Sequence, residues 1–179
     1  TELGRFSVVN ELTLHLCSFT GTIPEEFGQL STLERLAMGF NLLHGSIPTT
    51  LRQLTNLKIL SLARNGLDGT IPTELGMLTN LWELHINSNA WAGTIPTEFG
   101  RLTSLVKLNI STSDLTGTIP TQFGQLTELT FLDISKNNLT GTLPTEFARL
   151  LELSSLNVST NSLTGILPPQ LSQLSKLNE

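Results

Sequence analysis

The chain has 179 residues, a formal net charge of −5, 14% charged residues and one cysteine. So few charges with an acidic balance argue against a nucleic acid or an anionic membrane surface as partner. A single cysteine excludes an intrachain disulfide, and no apolar run is long enough to span a bilayer, so the segment is expected to make no direct membrane contact.

In chain order, residues 1–6 read as the tail of a repeat, by comparison with Thr73, Glu74, Leu75, Gly76, Met77 and Leu78. From Val9 onward a 24-residue unit recurs without insertion or deletion, beginning at residues 9, 33, 57, 81, 105, 129 and 153. Lys176–Glu179 then look like the opening of another unit. One such unit cannot bury its own apolar side and has to stack on copies of itself, which is the logic of a solenoid. The expectation is one elongated domain over residues 1–179, seven repeats with partial repeats at both ends. Because a solenoid needs polar capping units, ends cut mid-repeat suggest a piece of a longer protein.

Each unit opens with a strand. Apolar residues alternate at Leu60 and Leu62, or Leu84 and Ile86, so one face turns inward and the residues between them turn outward. An asparagine follows at Asn41, Asn65, Asn89, Asn137 and Asn161, where the chain turns out of the strand. One carboxamide offers a donor and an acceptor to the buried peptide groups of such a turn, so stacked copies predict an asparagine ladder. Cys17 and Ser113 take this position in the first and fifth units, and Cys17 is accordingly expected to be a buried structural thiol. Next comes a Gly-x-Ile-Pro step. Glycines from Gly21 to Gly165 mark a bend, and prolines from Pro24 to Pro168 fit the first position of a short helical turn. Trp91 takes the inward Leu position between Ala90 and Ala92, and reads as core packing.

The motif L-x-G-x-I-P inside a 24-residue unit resembles the plant-type subclass of leucine-rich repeats, over Val9 to Leu174. That subclass includes receptor-like-kinase ectodomains and polygalacturonase-inhibiting proteins. The resemblance implies an α/β solenoid: a right-handed leucine-rich-repeat superhelix with a concave parallel β-sheet, short 3-10 or helical turns on the convex side, and a second, shorter strand near the Gly-x-Ile-Pro step. It also implies an extracellular or cell-surface, secretory setting. The paired-cysteine caps of many such ectodomains are missing here.

Function is expected on the residues the repeat leaves free, which stack into five outward columns. Exposed aromatic and long cationic side chains on a rigid sheet suit a binding patch, and Phe40, Ile59, Arg64, Trp82, His85, Arg35, Lys107 and Phe131 form the candidate concave-face site. A blander account competes for the charges: Glu11 with Arg35, Glu34 with Lys58 and Glu83 with Lys107 lie side by side and can neutralise each other. The glycosylation sequon occurs at Asn138, Asn109 and Asn157; Asn138 stands outside the sheet, whereas glycans on the other two would cover the concave face.

On the convex side, Thr70, Thr94, Thr118 and Thr142 form one column and Thr73, Thr97, Thr121 and Thr145 another. A few plant proteins of the same subclass bind ice, and regular ranks of hydroxyl and methyl groups offer an ice- or ordered-water-binding alternative. A row of Glu26, Glu74, Glu98 and Glu146 beside them weighs against it. His15, His44 and His85 fall in different columns and no nucleophile–base pair, metal-ligand spacing or phosphate-cradling loop is present. The expectation is a non-enzymatic module with no cofactor and no metal, taking a protein, a peptide or a glycan as part of a larger receptor-like or adhesion protein.

Overall fold

The computed structural model describes residues 9–178. Among them a parallel sheet of seven three-residue strands runs the length of the molecule: Glu11–Thr13, Arg35–Ala37, Ile59–Ser61, Glu83–His85, Lys107–Asn109, Phe131–Asp133 and Ser155–Asn157. The register never slips, with Leu36 opposite Leu60 and Leu60 opposite Leu84. Because the middle residue of each strand is the inward leucine, every strand drives the same side chain into the coil, and Leu60, Leu84, Leu108 and Leu132 are fully buried. The fold is the expected solenoid, a concave parallel sheet backed by short 3-10 turns.

Those turns are Glu25–Gln29, Thr49–Gln53, Thr73–Met77, Thr97–Arg101, Thr121–Gln125, Thr145–Arg149 and Pro169–Gln173. The prolines lie one place earlier than the first helical position expected of them. Pro72 and Pro96, for example, are cap residues with ψ of 131° and 128°, extended rather than helical. Their fixed φ serves the extended entry to the turn equally well. The turn then buries two apolar residues three apart, such as Leu75 and Leu78.

A lateral sheet flanks the Gly-x-Ile-Pro step. It comprises Thr20–Gly21, Leu42–Gly45, Gly66–Thr70 and Ala90–Ala92, with a separate pair, Thr140–Gly141 and Ser162–Leu163. Between the two stands the fifth unit, joined by isolated bridges from Thr116 to Thr94 and from Thr118 to Thr140 and by the Asp114 N–H on the Trp91 carbonyl and the Asn138 N–H on the Leu115 carbonyl. The glycine of the step has a positive φ, +77° at Gly93, and a Cβ there would stand 3.1 Å from the Thr70 methyl of the preceding unit. A side chain at Gly93 is therefore strained by the backbone conformation and crowded by that methyl.

The asparagine ladder is present. Asn137 donates from Nδ2 to the carbonyls of Ile110, Ile134 and Ser135 at 3.1 to 3.2 Å, and its Oδ1 accepts the Leu115 N–H at 3.2 Å. Asn41, Asn65, Asn89 and Asn161 repeat this pattern. Cys17 departs from its expected burial: the thiol is exposed, its sulfur 3.6 Å from the His15 carbonyl. Ladder side chains reach back to the preceding unit, and Cys17 belongs to the first described unit, with no described unit on that side. Ser113 is too short to span the gap, and its buried Oγ has no hydrogen-bond partner among the described residues.

The partial repeat read at residues 1–6 lies outside the described residues, as does Glu179. At the other end the Asn178 N–H donates to Ser154 O at 3.0 Å, as Ser154 N–H donates to Thr130 O at 2.9 Å, so the chain re-enters the strand register there.

Candidate ligand-binding face

The first three outward columns face out from the sheet, with the single exception of Ala37, which is buried. The other two behave differently. In the fourth, Ala63, Ser111 and Ser135 are buried, because the backbone has begun to fold under its neighbour. In the fifth, each residue from Leu16 through Phe40, Arg64, Ser88, Thr112 and Lys136 to Thr160 has a left-handed backbone, φ between 53° and 57°. These side chains project from a bend at the exit edge, not from a flat strand.

Three groups form among the eight candidate residues. At the entry edge, Arg35, Ile59 and Trp82 line a shallow groove together with Glu11, Glu34 and Lys58. Trp82 is 53% exposed, with the Lys58 ammonium 5.8 Å from its ring centroid. Lys58 also contacts Glu34 at 2.7 Å, and Arg35 stands 3.9 Å from Glu11. At the exit edge, Phe40 is 40% exposed, the Arg64 guanidinium lies 4.9 Å over its ring, and the His15 ring meets it edge-on at 4.9 Å. In the middle, His85 and Lys107 hold opposite oxygens of one Glu83 carboxylate, at 3.1 and 3.0 Å. Phe131 stands apart, opposite Lys107 in the sheet register.

Burial pushes the Glu83 carboxyl upward, but hydrogen bonds from Lys107 and His85, with their charges, outweigh it and hold the group below its ordinary value of 4.5. All three expected ion pairs thus exist, and they occupy Arg35, Lys58 and Lys107. Lys58 and His15 are members of the aromatic groups that the candidate set lacked. Each stands next to its aromatic partner within or beside a column, so neighbouring places on stacked strands are the signal that finds them.

The sequons differ in availability. Asn109 and Asn157 spend Oδ1 on the N–H and hydroxyl of Ser111 and Ser159 on the concave face. Asn138 is exposed beside the lateral strand Thr140–Gly141. The threonines of the convex columns are exposed, yet their groups are engaged. The Thr70, Thr94, Thr118 and Thr142 methyls turn onto the glycine of the next unit. The Thr73, Thr97 and Thr145 hydroxyls each contact the adjoining glutamate at 3.3 Å.

Leucine-rich-repeat family models match residues 79–139 in one case and residues 9–30, 56–78 and 152–174 in another. The chain belongs to the leucine-rich-repeat family. No curated protein matches it in sequence. Among solved structures, the plant peptide hormone receptor RGFR1 in complex with RGF2 is similar with a TM-score of 0.94 and 32% identity, over 98% of this chain and 28% of that one. The Arabidopsis receptor kinase HAESA, in complex with the peptide hormone IDA and the co-receptor SERK1, gives a TM-score of 0.87 and 35% identity over 90% of this chain and 27% of that one. A plant ice-binding protein gives 0.68 and 28% over 93% of this chain and 69% of that one. The chain spans about a quarter of the length of these two receptor structures. No helix among the described residues is long and apolar enough to cross a membrane.

Proposed function

We propose that this segment is a non-catalytic recognition wall of an extracellular receptor-like or adhesion protein, binding a protein or peptide on its concave face. The observation that carries the reading is the pair of half-exposed aromatics at opposite edges of the concave wall, Trp82 and Phe40, each with a cation against its ring. Such side chains desolvate a large area with little loss of freedom. Similarity to peptide-hormone receptors supports the same assignment. The test is to pan a displayed random-peptide library on the purified protein and measure the recovered peptides against Trp82→Ala and Arg64→Glu. Binding is expected to fall at least about tenfold with the thermal midpoint unchanged; binders indifferent to both substitutions would defeat the assignment.

A second reading, ice binding through the threonine columns, draws on the similarity to a plant ice-binding protein. The glutamates bonded to Thr73, Thr97 and Thr145 set charge into that plane, which disfavours it. Thermal hysteresis in the purified protein that disappears on replacing Thr94 and Thr118 with bulky residues would establish it instead.

A further inference from the structure

The fourth and fifth columns, on the exit side of the concave wall, carry charge of one sign only. No Asp or Glu occurs in the fourth or fifth column, although the chain as a whole has a net charge of −5. The entry edge and middle of the wall neutralise their cations: Arg35, Lys58 and Lys107 each face a glutamate of the preceding unit. Among the described residues, Arg64 and Lys136 have no carboxylate within ion-pair distance. The acids flanking these columns are Asp114, two places past Thr112 where the chain has left the wall and its N–H donates to the Trp91 carbonyl at 2.9 Å, and Asp133, whose Oδ1 is turned back onto the Ser135 N–H and hydroxyl at 3.0 and 2.7 Å.

Between the two cations the same column offers Ser88 and Thr112, and beyond them Thr160, so the edge is a row of donors with positive charge at Arg64 and Lys136. Its backbone is not available to a ligand strand. The N–H groups of Arg64, Ser88, Thr112 and Lys136 all donate to the next unit at 2.9 Å. Recognition along this edge therefore runs through side chains. Arg64 is also pre-positioned, its guanidinium held over the Phe40 ring.

Three units separate Arg64 from Lys136, and at about 4.8 Å per strand their backbones are about 14 Å apart. An extended peptide covers that span in about four residues at about 3.3 Å each, and residues four apart on it point the same way. We propose that this strip is a docking track for an extended acidic peptide, whose two carboxylates about four residues apart engage Arg64 and Lys136. The proposal rests on the concave-face reading above and names the chemistry of its ligand.

The peptides recovered from the displayed library provide the test. They are expected to carry Asp or Glu at positions about four apart, and to bind Arg64→Glu and Lys136→Glu at least about tenfold more weakly, since the new carboxylates repel. Changing the peptide acids to Asn or Gln should have the same effect. Arg101→Glu, in an exposed convex turn, should leave binding unchanged, and thermal midpoints confirm that each variant is folded. Binders that depend on Trp82 but lack paired acids, or that tolerate both charge reversals, would overturn the track and leave the concave reading standing. Recovery of no peptide sensitive to Trp82, Arg64 or Lys136 would overturn both. Heparin binding that depends on Arg64 and Lys136, with acidic peptides inert, would overturn the peptide assignment in favour of a sulfated polysaccharide.

Discussion

Trp91 and Ser113 compensate for one another. Ladder asparagines reach the carbonyl 27 residues earlier, as Asn137 does at Ile110 and Asn161 at Ile134. For Ser113 that carbonyl belongs to Ile86, and Trp91 Nε1 donates to it at 2.6 Å. The indole thus supplies the bond the missing carboxamide would have made, and Trp91 is fully buried while doing so. Its inward position was legible from alignment alone. The reason for its fit was not: Ala90 and Ala92 are exposed and give the ring no room, and the orientation of an indole cannot be read from spacing. Trp91→Leu is expected to destabilise by about 2–4 kcal/mol through lost volume and the loss of one of the two hydrogen bonds at the Ile86 carbonyl, which keeps the Asn89 amide at 3.0 Å. Adding Ser113→Asn should recover part of that loss, with a coupling of about 1 kcal/mol in a urea-denaturation double-mutant cycle; strict additivity would refute the compensation.

At the scale of the elements, the ladder ties each strand to the lateral sheet, since one side chain bonds carbonyls leaving the strand and an N–H entering the lateral segment. The break in the lateral sheet falls where the ladder lacks its asparagine, at the fifth unit. Asn137→Ala should destabilise by about 2–4 kcal/mol, because it takes the partner from two buried peptide groups at once, the Ile110 carbonyl and the Leu115 N–H; denaturant midpoints measure this. The Glu83 triad, spanning two strands, gives a pH signature. Its carboxyl is held below 4.5 in the folded chain, so the folded state binds its proton less tightly than the unfolded one. The stabilisation is complete above 4.5 and is lost as pH falls through the lower folded value. Glu83→Gln should therefore lower stability at neutral pH and change it little in strong acid, so that the acid limb of the stability curve flattens. Strand, ladder and turn were all legible because each repeats a residue type at a fixed place; the buried fourth column was not, since alternation continues on paper after the backbone has started to bend.

Over the whole molecule, stability follows the stacking of neighbours, as expected for a quasi-one-dimensional array. Leu84 is fully enclosed by units on both sides, whereas Leu163 in the last full unit is half-buried. Leu84→Ala is expected to cost about 3–5 kcal/mol and Leu163→Ala clearly less, measured by chemical denaturation of the same chain. The exposure of Cys17 has the same positional origin, which no single-unit pattern could reveal. One further consequence comes from the row of left-handed residues running along the exit edge. Thr112 and Thr160 are β-branched at φ of 56° and 54°, a conformation such side chains resist and asparagine or glycine accepts. Thr112→Asn should raise the melting temperature by a few degrees, about 1 kcal/mol. The chain places neither favoured residue anywhere in that row, so thermostability and a varied reading surface compete for the same seven sites, and hardening the scaffold there would erase its vocabulary.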